Sequence, residues 1–176
     1  MAKMPVLVDE ARGETIAETT IILEYLDRRF EEPRLLPEEL EAALQARFWD
    51  RFFDLYVEIP MQKTVTDRIR PEGENDPFGV AQARAQLREA YAIIEEHMAG
   101  KIWALGADFS IADCAAAPAL FYANSVEPID EAFPETTRYR KRLMRRPAYA
   151  RILREAEPYF HLFPMPEKPD ISDVGF

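Results

Sequence analysis

A few places in this chain bring together residue types that could do chemistry. Glu18 and Thr19 set a carboxylate and a hydroxyl side by side, just ahead of the apolar run Ile21-Ile22-Leu23. On the residues alone, this pair starts a helix favourably, because negative charge is stabilising near a helix N-terminus. Ser110-Ile111-Ala112-Asp113 fits a capping box, in which the hydroxyl takes the backbone N–H of Asp113 and the carboxylate reaches back to that of Ser110. Phe109 and Cys114 flank it at staple positions, and Ala115, Ala116, Ala117 and Ala119 are small enough for helices to approach closely. That device starts a buried helix rather than a reaction. Trp49, Phe53 and Tyr56 form an aromatic stripe that could line a ligand groove, and core packing alone also accounts for it. Tyr25, Tyr56 and Cys114 sit in helical core or groove contexts, while His97 and His161 fall at a helix end and in the tail. None is nominated as catalytic, and neither metal-ligand spacing nor a phosphate-binding glycine loop occurs.

These groups need elements to position them. Val6-Leu7-Val8, the polar turn from Asp9 to Gly13 and Thr15-Ile16-Ala17 predict a hairpin. A helix follows over 19–30, with Ile22, Tyr25, Leu26 and Arg29 on one face. Glu31-Glu32-Pro33 and Leu36-Pro37 make a short linker. Beyond it everything reads helical. A long helix over 38–69 carries Leu44, Phe48, Phe52, Leu55 and Ile59 at helical steps, beside the second stripe of Trp49, Phe53 and Tyr56. Together they exceed the roughly 100° that one helix contact buries, so this helix is covered on two sides, lines a groove or forms a subunit interface. The loop from Arg70 to Pro77 precedes a helix over 78–99 whose inner face is Val80, Ala83, Leu87, Ala90, Ile94 and Met98, ended by Gly100. Helices over 115–124, 130–145 and 147–157 follow, and the proline- and aromatic-rich tail from Pro158 should lie extended against the domain.

Composition narrows the function. The 176 residues suffice for one good-sized domain, and 48% apolar residues supply a core. The net charge of −10 argues against nucleic acid and against an anionic membrane surface. One basic cluster stands out: Arg138, Arg140, Lys141, Arg142, Arg145 and Arg146. It reads as a solvated face near a helix C-terminus, or as an anion or partner patch. The single cysteine suits a reducing, cytoplasmic setting. The first residues lack the pattern of a signal peptide. The longest apolar stretch, 114–123, is well short of the roughly 20 residues of a membrane span.

Gly106-Ala107-Asp108-Phe109-Ser110-Ile111-Ala112-Asp113 resembles the helix-capping signature of the all-helical C-terminal domain of cytosolic glutathione S-transferases. Lys3-Met4-Pro5-Val6-Leu7-Val8-Asp9 and Glu18-Thr19 resemble that family's cis-proline strand and its Glu-Ser pair, with Thr here keeping the hydroxyl. Arg146-Pro147-Ala148-Tyr149 resembles a late segment common in bacterial members. The resemblance covers nearly all of residues 3–163. It implies a mainly α fold: a helical bundle like the family's C-terminal domain over 38–160, preceded by a partial, thioredoxin-like ββα segment over 1–32, with the tail over 161–176. It also implies roles. The backbone of Met4 would pair with the cysteinyl part of glutathione beside a cis Pro5. Glu18 would take the γ-glutamyl ammonium, while Thr19 and the helix N-terminus take the carboxylate. Glutathione would be a co-substrate, with no cofactor; a small hydrophobic electrophile would be its partner, in a pocket lined by Trp49, Phe53 and Tyr56; and the protein would be a homodimer.

In this family a Tyr, Ser or Cys near the end of the first strand stabilises the reactive thiolate. Only Met1 and Ala2 precede Lys3, so no residue here matches that position. The expectation is a chain that begins inside the N-terminal domain, whose full-length parent conjugates glutathione to electrophiles while this polypeptide does so poorly. A non-catalytic binding or dimerisation module is the alternative. An isolated hairpin is marginal in water, so residues 1–32 should be held by the helical domain, pair with another subunit or move.

Overall fold

Val6–Asp9 (β1) and Glu14–Ala17 (β2) pair antiparallel, with Val6 opposite Ala17 and Asp9 opposite Glu14. Gly13, at φ +68°, turns the chain between them, a conformation open to glycine without steric cost. The computed structural model describes residues 4–30 and 34–174. Lys3 of the opening motif, the Glu31-Glu32-Pro33 linker and the last two residues of the tail lie outside the described residues.

The hairpin leads into α1 (Thr19–Asp27), which ends sooner than its apolar pattern suggests. Asp27 is buried and accepts the N–H of Leu35, while Arg34 donates to its carbonyl, so the chain turns there. Two further ties hold this segment to the body. Arg47 forks onto both carboxylate oxygens of Glu24 at 2.8 and 3.0 Å. Leu23 and Leu35 pack on a small buried cluster of Leu36, Ala46 and Ile111. Helix α1 is thus tied to the helical bundle, and the hairpin is carried on α1, where the Tyr25 hydroxyl donates to Asp9 at 2.6 Å.

The helix expected over 38–69 is three pieces: α2 (Leu40–Phe52), a π-helical segment (Phe53–Glu58) and α3 (Ile59–Asp67). This changes which face is inside. Ala43, Ala46, Trp49, Phe53, Val57 and Met61 face the core, whereas Leu44, Phe48, Leu55 and Ile59 of the first stripe are exposed, only Phe52 being buried. A π turn holds more residues than an α turn, so side chains beyond Phe53 are rotated relative to those before it. Tyr56 leaves the line of Trp49 and Phe53, and Val57 takes the inner place.

Next come α4 (Pro77–Met98), α5 (Ile111–Val126), α6 (Pro134–Met144) and α7 (Pro147–Ala156). Gly100, at φ +73°, follows α4 as expected of a helix-ending glycine. Helix α5 is central: Ile111, Ala112, Ala116, Leu120 and Ala123 are fully buried. The capping box at its start is present. Asp113 Oδ2 accepts the Ser110 N–H at 2.8 Å and its hydroxyl at 3.1 Å; Oδ1 accepts the Ala104 N–H at 2.8 Å and the Tyr139 hydroxyl at 2.6 Å. Four donors on a buried carboxylate make this a structural hub.

The tail is not extended at its start. Glu157–Leu162 forms a 3₁₀ helix, and Val174 returns to pack with Phe121, Met144, Ala150, Leu153 and Phe160. The basic cluster is a solvated face only in part: Arg138 and Arg145 are exposed, whereas Arg140 is buried. Arg140 and Lys141 clamp the Asp173 carboxylate at 3.2 and 3.1 Å, and Arg145 donates to the Asp173 carbonyl. Arg138 pairs with Glu135, Arg142 donates to the Ile102 carbonyl, and Arg146 lies over the Phe109 ring at 3.6 Å. A tail that folds back brings its own carboxylate to the cluster. No helix among the described residues is long and apolar enough to cross a membrane.

Candidate functional site

Glu18 joins β2 to α1 at φ +71°, the single described non-glycine residue in the positive-φ region. Such a backbone costs on the order of 1–3 kcal/mol and persists where its surroundings impose it. Its side chain does not cap α1, so the first N–H groups of that helix stay available to an incoming anion. Across the turn the Met4–Pro5 bond is cis, and Met4 is 94% exposed. Among the described residues nothing pairs with the backbone N–H or C=O of Met4.

Met4 and Thr19 come together on the rim of one cleft, of about 360 Å³. Its far wall is a ladder of acids one turn apart, Asp50, Asp54 and Glu58, continued by Gln62. The last two acids lie on the π-helical segment, a distortion common at functional sites. Asp50 is 2% exposed and accepts the Thr20 hydroxyl at 2.9 Å. Burial raises its pKa, partly opposed by that hydrogen bond, and burial likewise raises those of Asp54 and Glu58. Arg51, 2.8 Å from Asp54, works against the rise there, whereas the charge of Glu18 adds to it. The floor is α5: Cys114, Pro118 and Tyr122. Burial pushes the Cys114 thiol up to about 12 and raises Tyr122 as well.

A second, apolar cavity of about 500 Å³ adjoins the cleft, sharing Glu58, Gln62 and Tyr122 with it. Met61 and Val65 of α3 form one side, and Tyr159, Phe160 and Phe163 of the folded-back tail form the other. Tyr122 and Phe163 stand ring to ring at 5.5 Å.

Of the residues singled out in the sequence, Met4 and Thr19 line the cleft and Glu18 adjoins it. Trp49, Phe53 and Tyr56 do not come together on a pocket wall. Trp49 and Phe53 are core residues, the first stacked on His97 at 3.7 Å and the second against Tyr139, while Tyr56 is 56% exposed and stacked on Phe52. The apolar wall lies instead at Tyr122 and in the tail, whose density of aromatics was the sequence signal for it. Among the described residues no cluster of His, Cys, Asp or Glu is placed to hold a metal.

A helical bundle built round a capped central helix, with a cis-proline ββα segment docked on it, is the architecture that the comparisons with known proteins can be set against. Residues 77–142 match the family described as "Glutathione S-transferase, C-terminal domain". A probable glutathione S-transferase of Nicotiana tabacum is 32% identical over 114 residues, 65% of this chain and 46% of its own length. A glutathione S-transferase of Methylobacterium radiotolerans, solved in complex with glutathione sulfonate, superposes with a TM-score of 0.72 at 27% identity, over 85% of this chain and 71% of that one. A Methylobacillus flagellatus glutathione S-transferase, solved with glutathione bound, shares the fold with a TM-score of 0.77 at 24% identity, over 85% and 74% of the two chains. Residues 77–142 thus match the C-terminal domain of glutathione S-transferases, and the chain as a whole is similar to members of that family. It spans 46% of the length of that tobacco relative.

Proposed function

We propose that this chain forms the glutathione-recognising side of a transferase site together with the cavity for the second, electrophilic substrate. The observation that carries the reading is the meeting of Met4, Thr19 and the uncapped N-terminus of α1 on the rim of one cleft that opens into an apolar cavity. In this reading the Met4 backbone pairs with the cysteinyl unit of glutathione beside cis Pro5. Thr19 and the first turn of α1 take the γ-glutamyl carboxylate, and Glu18, with Asp54 nearby, takes the ammonium. The thiol then faces the passage between Glu58 and Tyr122, and an apolar electrophile lies against Met61, Val65 and Phe163.

Recognition and activation separate here. A glutathione thiol reacts as its thiolate, which needs a hydrogen-bond donor or a positive charge beside it. The ionisable groups in the cleft wall do the reverse. Three carboxylates repel an anion, and the thiol of Cys114 and the phenol of Tyr122 hold their own protons above the usual range. The 176-residue polypeptide is thus a binder of glutathione and a poor conjugating enzyme, at home in the reducing cytoplasm. Calorimetric titration with glutathione, paired with a conjugation assay on an activated aryl chloride, tests both halves. Saturable binding with turnover near the protein-free rate is expected. Robust turnover by this chain overturns the inactivity, and no binding overturns the reading itself.

A second reading, a non-catalytic association module, draws on the outer face of α2 and the segments after it. Leu40, Leu44, Phe48, Leu55, Tyr56 and Ile59 are all exposed there. A contiguous apolar patch of this kind marks an interaction surface. A second copy of this chain, related by a two-fold axis, would cover it. Sedimentation equilibrium should then show a dimer that Phe48→Glu converts to folded monomers; a wild-type monomer at tens of micromolar removes this reading.

A further inference from the structure

The cavity between α3, α5 and the folded-back tail carries one charge in a largely aromatic and aliphatic wall. Its volume of about 500 Å³ suits a small-molecule ligand, since such sites run to roughly 300–1,000 Å³. Tyr159, Phe160 and Phe163 line it from the tail, Tyr122 from α5, and Met61 and Val65 from α3. The Tyr122 and Phe163 rings stand 5.5 Å apart with their planes inclined at 35°.

Glu58 is the one charged side chain in this wall among the described residues. It ends the π-helical segment, half-buried, one turn before Gln62. The three acids of the ladder are served unequally. Asp50 has the Thr20 hydroxyl and Asp54 has Arg51, whereas Glu58 has only the Gln62 amide, which donates to its Oε1 at 2.9 Å. No described residue donates to its Oε2. Burial raises the pKa of Glu58, and the charge of Asp54 adds to the rise. Glu58 in turn acts on the rings: after burial, its charge is what raises Tyr122. A carboxylate set among aromatic rings carries a desolvation cost that a cation offsets. The rings favour the same occupant, because their faces attract positive charge. An ammonium also brings N–H donors to the unengaged oxygen in a charge-assisted bond.

We propose that this cavity selects an amphipathic cation, an aromatic or aliphatic group carrying an ammonium, with Glu58 and Tyr122 at the charge and Met61, Val65, Tyr159 and Phe163 along the apolar part. The part this ligand plays as second substrate rests on the transferase reading; its binding does not, and is measured without glutathione.

Three probes share one skeleton: 4-phenylbutylamine, cationic at neutral pH, 4-phenyl-1-butanol and 4-phenylbutanoate. Calorimetry on the full chain should give saturable binding of the amine at least about tenfold tighter than the alcohol, the scale of one charge-assisted contact. The carboxylate should bind most weakly. Glu58→Gln should bring the amine to the level of the alcohol. Tyr159→Ala, at an exposed position of the wall, should weaken amine and alcohol alike and keep their ratio. Glu18→Ala should leave amine binding unchanged, which separates this cavity from the place proposed for the γ-glutamyl ammonium. Equal affinity for amine and alcohol, or no saturable amine binding, overturns the proposal. So does a preference for the amine that survives in folded Glu58→Gln or vanishes in Glu18→Ala, or unchanged affinity of both probes in Tyr159→Ala. Should Glu58→Gln not fold, the wild-type comparison and Tyr159→Ala still decide. Glutathione that fails to bind in its own titration removes only the role as second substrate.

Discussion

The hydroxyl of Thr20 donates to the carboxylate of Asp50 across thirty residues of sequence, at 2.9 Å from Oδ2 and 3.2 Å from Oδ1. This joins the first turn of α1 to the wall of the cleft, and among the described residues Thr20 is the one side-chain donor within hydrogen-bond reach of an otherwise buried acid. Thr20→Val keeps the shape and strands the carboxylate. The expected loss is about 1.5–3 kcal/mol, the range for a hydrogen bond to a charged group. Thr20→Ser should stay near wild type. Chemical denaturation of the three proteins decides; a Thr20→Val variant as stable as wild type means that the tie is not what holds α1.

Asp50 also sets a pH dependence. Burial raises its folded pKa above the unfolded value, so the folded state holds this proton more tightly than the unfolded chain does. The stability it contributes is therefore fully present below the unfolded pKa, about 4, and is lost as pH rises through the folded value. Asn at this position does not titrate. The difference in melting temperature between Asp50→Asn and wild type should move in favour of the variant as pH is raised from 4 to 8. The opposite trend would show that the carboxylate is stabilised, not penalised, by its surroundings.

In the proposed reading, Glu18 trades stability for recognition. Its positive φ costs a non-glycine residue free energy that a glycine in the same place would not incur. Glu18→Gly should be more stable than Glu18→Ala by about 1 kcal/mol, while both weaken glutathione binding by about tenfold through loss of the carboxylate. Thermal melts read the first effect and calorimetry the second. Equal glutathione affinity in all three proteins would remove Glu18 from the site.

Asp113 makes the converse case. Four hydrogen bonds end on its buried carboxylate, linking the start of α5 to Ala104 and to Tyr139 of α6. Asp113→Ala leaves buried donors unmatched and should cost about 3–5 kcal/mol. Where the variant remains folded, in the cold, its affinity for glutathione should equal that of wild type. A loss of binding with unchanged stability would make Asp113 a site residue instead.

The parts of the fold legible in the sequence are those where local chemistry decides. The hairpin followed by a helix, the capping box at Ser110 and Asp113, and the glycine that ends α4 each depend on residues a few positions apart. What misled was reading large side chains as the buried side of α2. On α2 the small residues Ala43 and Ala46 lie inside with Trp49 and Phe52, while the bulky Leu40, Leu44 and Phe48 turn outward. Close approach between helices rewards small residues, and a periodicity of large ones cannot report it. The π-helical segment then shifts every later side chain, which no spacing in the sequence announces. The candidate site was half legible for a related reason. Met4, Glu18 and Thr19 are brought together by one hairpin, whereas Asp50, Tyr122 and Phe163 meet only because distant elements pack.

The cavity beside the cleft has two walls of unequal permanence. Met61, Val65 and Tyr122 belong to helices that build the core, while Tyr159, Phe160 and Phe163 belong to a folded-back segment pinned further on by one clamped carboxylate, that of Asp173. Substitutions on the first wall are constrained by the stability of the whole domain. In the tail Phe160 and Phe163 also pack in or against the core clusters, whereas Tyr159 is exposed and free of that constraint. If the cavity takes the second substrate as proposed, Tyr159 is the wall position where this protein can acquire a taste for new compounds at little structural risk, and where libraries meant to alter its selectivity should concentrate their diversity.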